Sequence, residues 1–199
     1  MTVIGVTGQM GTGKTHLVKT LTSYLEQKRI PVRVVSVDDV RRRLVTTSPA
    51  LRAKLAAHFN LPEVFGLREL AAAVFGAETG PEDFWRIAGP DIVTTVTSQL
   101  QGPGVGLLEW SRLIEDGFAP LVDRVVVVTC DTPEQQRRLS GGDLPAEQVS
   151  KRLGLQMSAE AIAAALAKIG KPFCVFDTTR SPPPSDYHRL CDEVLHEAA

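Results

Sequence analysis

The sequence predicts a three-layer α/β fold: a five-stranded parallel sheet with helices on both faces, a helical substrate-binding insert and a short lid. Three observations carry that reading. Short β-rich runs alternate with helical patterns along the chain, as in a parallel sheet covered on both sides. The first run, Val3, Ile4 and Val6, leads into Gly8-Gln9-Met10-Gly11-Thr12-Gly13-Lys14-Thr15, which is G-x-x-x-x-G-K-[ST] without a mismatch. That octad stands between a strand and an amphipathic helix, where its phosphate-binding mechanism requires it, and makes the fold class that of the P-loop NTPases. Lastly, the mainly helical stretch from 49 to 100 is too long for a simple crossover and predicts an insert within one domain of residues 1–199.

Taken in order, strands are expected near 2–7, 32–37, 105–109, 125–130 and 173–177. The helix after the octad, from about Lys14 to Gln27, carries Leu17, Val18, Leu21, Tyr24 and Leu25 at spacings that bury one face. Thr132-Pro133-Glu134 reads as N-cap, N1 proline and first-turn acid of the helix after strand four. Arg137 and Arg138 follow on that helix, ahead of the turn Ser140-Gly141-Gly142-Asp143, so a lid is placed at 137–157. The Ser181-Pro182-Pro183-Pro184 turn leads to a last helix from Asp186 to about His196.

The octad dictates chemistry. Its glycines let successive backbone N–H groups turn toward a β-phosphate with no Cβ in the way. Lys14 reaches the β- and γ-phosphates, and Thr15 offers its hydroxyl to Mg²⁺ at the positive end of the helix dipole. Ligands of open parallel sheets sit at the carboxyl ends of the strands. Strand two ends in Asp38-Asp39, where a carboxylate either accepts the proton of an attacking hydroxyl or caps the helix carrying Arg41, Arg42 and Arg43. Strand three ends in Glu109, either a ligand of Mg²⁺-bound water or a strand-end surface charge. Arg137 and Arg138 either close over a triphosphate or form a solvated helix face.

Composition sets limits. With 43% apolar and 23% charged residues, 199 residues bury one good core. A net charge of −1 argues against nucleic acid or a membrane surface as the main partner. The opening residues show no signal peptide, and the uncharged stretch from Ile92 to Leu108 is interrupted by Thr, Gln, Gly and Pro; a soluble cytoplasmic protein is expected. Cys130, Cys174 and Cys191 lack disulfide or zinc spacing and read as buried, inert thiols. The four histidines form no ligand pattern.

The order of these pieces resembles the dephospho-CoA kinases over nearly the whole chain. Val3-Ile4-Gly5-Val6-Thr7-Gly8 through Thr15 is similar to that family's opening. Val37-Asp38 with Val40 and Arg42 resembles its D-x-D-x-x-A-R segment. His58-Phe59, Leu70 to Phe75 and Ile87 to Ile92 resemble elements of its CoA-binding subdomain. Leu108 to Glu115 resembles D-V-P-L-L-F-E, and Val122 to Val128 resembles the strand after it. Gln135 to Leu139 is similar to Q-x-x-R-L, and Arg152 to Gln156 to R-I-x-x-Q. The chain departs from the pattern at Ser36, for the first paired acid, at Ser111-Arg112, for P-L, and at Leu67, Gly89, Gly142 and Asp177.

The resemblance implies an ATP- and Mg²⁺-dependent kinase that phosphorylates the ribose 3′-hydroxyl of dephospho-CoA. Asp38 takes the place of the base, Arg42 and Arg68 meet the substrate, Arg138 serves the lid, and Thr15 with Glu109 holds the metal. Loss of a lid and a substrate arginine removes charge where phosphate-bearing ligands bind. Two other functions fit the same residues: a kinase for another small hydroxylated, nucleoside-like metabolite, and a non-catalytic ATP-binding regulatory protein.

Overall fold

The computed structural model describes residues 2–141 and 146–196. Five strands form one parallel sheet: β1 (Thr2–Thr7), β2 (Val32–Ser36), β3 (Val105–Glu109), β4 (Arg124–Thr129) and β5 (Phe173–Asp177), in the order β2-β3-β1-β4-β5. The register places Val6 beside Glu109 on one side and beside Val126 on the other. The central strand β1 therefore delivers the octad to the carboxyl edge of the sheet, between the ends of β3 and β4.

The chain divides into two compact units, residues 1–35 with 100–199, and residues 36–99. In the first, β1 shows why the sheet is covered twice. Ile4 and Val6 join Leu107, Val126 and Val128 in a core with Leu17, Leu21 and Leu25 of α1 (Lys14–Gln27) and Tyr187, Cys191 and Val194 of α9 (Pro184–His196). Burying each such leucine contributes about 2 kcal/mol. Tyr24 is only partly buried, because its hydroxyl donates to Asp192 at 2.8 Å. Alternate residues Val3, Val125 and Val127 are buried as well, and α8 (Ala159–Lys168), with Ile162 and Leu166 inward, packs on β4. A Cβ on Gly5 would lie 2.7 Å from Leu113, so glycine is what lets that side chain seat on β1.

The second unit is helical: α2 (Val37–Thr47), α3 (Pro49–Phe59), α4 (Leu67–Gly76) and α5 (Gly80–Leu100), the last reaching its end at the unit boundary. It begins at residue 36 and takes in α2, ahead of the stretch from 49 read from the sequence, because α2 packs on α3 and α4. Its interior holds Val40, Leu51, Leu55, Leu70, Phe84, Ala88 and Ile92.

Three of the boundaries that differ from the sequence reading lie at helix starts. β2 stops at Ser36 because the Ser36 hydroxyl accepts from the Asp39 N–H and opens α2. In α6 (Thr132–Ser140) the N-cap is Asp131, which accepts from the Glu134 N–H at 2.9 Å, so Thr132 is already helical. The last helix starts at Pro184, where a proline suits the first turn. α7 (Ala146–Gly154) follows α6. Of the expected turn before it, Gly142 and Asp143 lie outside the described residues, as does the middle of the 137–157 lid.

Candidate active site

The octad adopts a loop that only its glycines permit. Gly8, Gly11 and Gly13 have φ of +132°, +82° and +94°, the last forming the left-handed N-cap of α1 with no side chain capping the helix. An uncapped helix start presents N–H groups to an anion. Thr12 Oγ1 and Lys14 Nζ both donate to the Gln9 carbonyl, at 2.8 and 2.9 Å, closing the loop on itself. A Cβ on Gly8 would stand 2.2 Å from the Val128 carbonyl oxygen. Gly8→Ala is therefore expected to destabilise the fold by about 3 kcal/mol. A urea melt checks this, and an unchanged midpoint would contradict the loop geometry.

At the mouth of the loop the Thr15 hydroxyl donates to Glu109 Oε1 at 2.5 Å. β3 supplies the acid and the first turn of α1 the hydroxyl, from positions 94 residues apart. Glu109 is half-buried, and its carboxylate accepts from Thr15 at the exposed mouth of the loop. A hydroxyl and a carboxylate are hard oxygen donors of the kind Mg²⁺ takes. Thr15 and Glu109 are the residues that would hold the ion.

Arg138 sits on α6 against the loop. Its Nη1 donates to Thr178 Oγ1 at 2.9 Å and to the Gly11 carbonyl at 3.3 Å, Nη2 to the Thr178 carbonyl at 2.8 Å, and Nε to Glu134 at 2.7 Å. These contacts hold the side chain between the loop and the turn after β5. Hydrogen bonds from Arg137 above all, and from Arg138, hold the Glu134 carboxyl down to about 2, against the opposing effect of desolvation. Arg137 is 71% exposed and meets Glu134 alone among the described ion pairs.

Sequence reasoning missed Thr178. It is buried, and its hydroxyl donates to the Thr12 carbonyl at 2.7 Å, so it links the loop to β5. No local pattern marks it. Beside it, Asp177 accepts from the Thr179 hydroxyl and N–H, which keep its carboxyl below the usual carboxylate range. An open cleft of about 540 Å³ lies among Asp131, Asp177, Thr179 and Pro183, at the carboxyl ends of β4 and β5.

Asp38, Arg42 and Arg68 belong to the helical unit. Because Ser36 provides the cap of α2, neither Asp38 nor Asp39 does so. Asp38 Oδ1 accepts from Arg41 at 2.8 Å, with the carboxylate still half exposed. Arg42 stands 4.0 Å from Asp39 and is exposed. Arg68 is exposed in the first turn of α4, beside the exposed Leu67. Two thiols depart from the buried reading: Cys130 and Cys174 are only partly buried, while Cys191 is fully so and is raised to about 11 by desolvation. Cys130 is also raised, chiefly by desolvation, which keeps it a neutral thiol beside the Gly11 carbonyl.

The sequence profile of one family, described as dephospho-CoA kinase, matches residues 2–169, the octad, Glu109 and Arg138 included. The chain belongs to the dephospho-CoA kinase family. It is a kinase-type phosphotransferase with a P-loop fold. Among solved structures, this family member is similar to TT1252 from Thermus thermophilus, with TM-score 0.74, 22% identity, and coverage of 100% of this chain and 98% of that one. It is also similar to the shikimate kinase from Bacteroides thetaiotaomicron, with TM-score 0.52, 14% identity and 98% of each chain covered. At these identities the two structures speak for the fold alone. No curated protein matches the chain. Among the described residues of this dephospho-CoA kinase family member, no helix is long and apolar enough to cross a membrane.

Proposed function

We propose that this protein transfers the γ-phosphoryl group of ATP to the ribose 3′-hydroxyl of dephospho-CoA, giving CoA, in the cytoplasm and with Mg²⁺. The observation that carries the reading is the Thr15–Glu109 pair at the mouth of an intact phosphate loop, in a chain of this family. Phosphoryl transfer needs little covalent chemistry from the protein; positioning and charge do the catalysis. The backbone from Gly8 to Thr15 cradles the phosphates, Lys14 stabilises charge that develops between them, and Thr15 with Glu109 holds the metal. Asp38 orients or deprotonates the acceptor hydroxyl. Arg42 and Arg68 meet the phosphate-bearing acceptor, Arg138 supports the nucleotide side, and the cleft beside Asp177 receives the base.

A second reading, another small hydroxylated acceptor, is favoured by Leu67. It is 40% exposed at a position where the family resemblance puts a substrate-contacting arginine. The test is ADP release from Mg-ATP with and without dephospho-CoA, with Lys14→Ala as the blank. Acceptor-dependent turnover that the blank lacks is the expected result. Nucleotide binding without it would move the assignment to another acceptor, or to a regulatory nucleotide binder.

A further inference from the structure

The phosphate loop is gripped from outside by two side-chain amides on the backbone of a single residue, Met10. Gln135 Nε2 donates to the Met10 carbonyl at 2.8 Å, and Gln156 Oε1 accepts from the Met10 N–H at 2.8 Å. The Gln156 amide is itself oriented, because its Nε2 donates to Ser111 Oγ at 3.1 Å. A flipped amide would turn its own N–H donors toward the Met10 N–H and lose that bond.

What holds Gln156 in place is a second network rooted in the core. Asp116 has a side chain only 3% exposed, and it accepts from Trp110 Nε1 at 2.8 Å and from Arg112 Nη2 at 3.0 Å. Locked there, Arg112 turns its remaining nitrogen, Nη1, onto the Leu155 carbonyl. On the other flank of Gln156, the Met157 N–H donates to Glu115 Oε1 at 3.0 Å. Three consecutive residues, 155 to 157, are thus tied to the segment that follows β3, and the middle one reaches the phosphate loop. Ser111 and Arg112 stand where the family pattern has an apolar P-L pair, which could supply neither the hydroxyl nor the guanidinium.

We propose that Gln156 and Arg112 are positioning residues for nucleotide binding: Arg112, braced on Asp116, fixes residue 155 so that Gln156 caps the Met10 N–H and holds the loop in its phosphate-receiving form. The proposal rests on the kinase reading above. The Met10 N–H, already satisfied, is then not a phosphate ligand, and that task falls to the N–H groups from Gly11 onward. Neither residue touches the phosphates; each acts through the loop backbone.

The experiment is calorimetric titration with a non-hydrolysable Mg-ATP analogue, with thermal melts of the nucleotide-free proteins alongside. Gln156→Ala removes a half-buried amide and leaves the core intact. It is expected to weaken nucleotide binding about tenfold while the melting midpoint stays within about 2 °C of wild type. Arg112→Lys keeps a charge for Asp116 but loses the fork that reaches Leu155, and should weaken binding by a few-fold. Because the two act in series, the double variant should bind about as poorly as Gln156→Ala. Unchanged affinity in Gln156→Ala, or a double variant whose loss is the product of the singles, would overturn the positioning role. Wild type that binds no more nucleotide than Lys14→Ala would overturn the kinase reading and this inference with it.

Discussion

Replacing Lys14 with alanine is expected to lower kcat/KM by about 10²- to 10³-fold while leaving the fold in place. The side chain leaves the first turn of α1, and its ammonium donates to the Gln9 carbonyl, a neutral acceptor. A triphosphate would bring charged oxygens, for which a charge-assisted bond is roughly twice as strong, so the ammonium is expected to exchange the carbonyl for the nucleotide. That exchange stabilises the transition state most, when negative charge spreads over the transferring group. Loop integrity does not depend on Lys14, since the Gln9 carbonyl keeps its bond from Thr12 and the left-handed glycines keep the backbone path. Steady-state ADP release measures the loss and a thermal melt the fold. Turnover within a few-fold of wild type would mean that the loop does not serve phosphoryl transfer here.

The legibility of the site followed the range of its contacts. The octad could be read directly because its chemistry fixes residue types within eight consecutive positions. Glu109 could be read because a strand of five residues ends on it at the sheet edge where ligands bind. Thr178 and Gln156 could not be derived that way: their bonds to Thr12 and Met10 span 166 and 146 residues, and nothing local distinguishes one threonine or glutamine from another. Gln156 was visible only as the last letter of a family segment. Ser36 is the instructive case. Read as a missing acid it signals loss of function, yet its hydroxyl caps α2 and leaves Asp38 free of that duty. The cap of α6 shows the opposite limit, since Asp131 and Thr132 are both good capping residues and only side-chain geometry selects the first.

Asp38→Asn should cost about 10²- to 10⁴-fold in turnover with nucleotide affinity unchanged. Asparagine matches the carboxylate in size and can still accept from Arg41, so α2 should form as before. Capping is unaffected because Ser36 performs it. The one property removed is the ability to take a proton from the acceptor hydroxyl, or to pull on it electrostatically as the oxygen attacks. The exposed half of the Asp38 carboxylate is what an acceptor would meet. Alternatives separate cleanly in the kinetics. If Asp38 only bound the acceptor, KM for dephospho-CoA would rise and kcat would hold; if it acts on the hydroxyl in the transition state, kcat and kcat/KM fall together. Turnover of Asp38→Asn within a few-fold of wild type would sink the base assignment outright. With ATP binding still intact, it would leave phosphoryl transfer to positioning and charge from the loop, Lys14 and the metal.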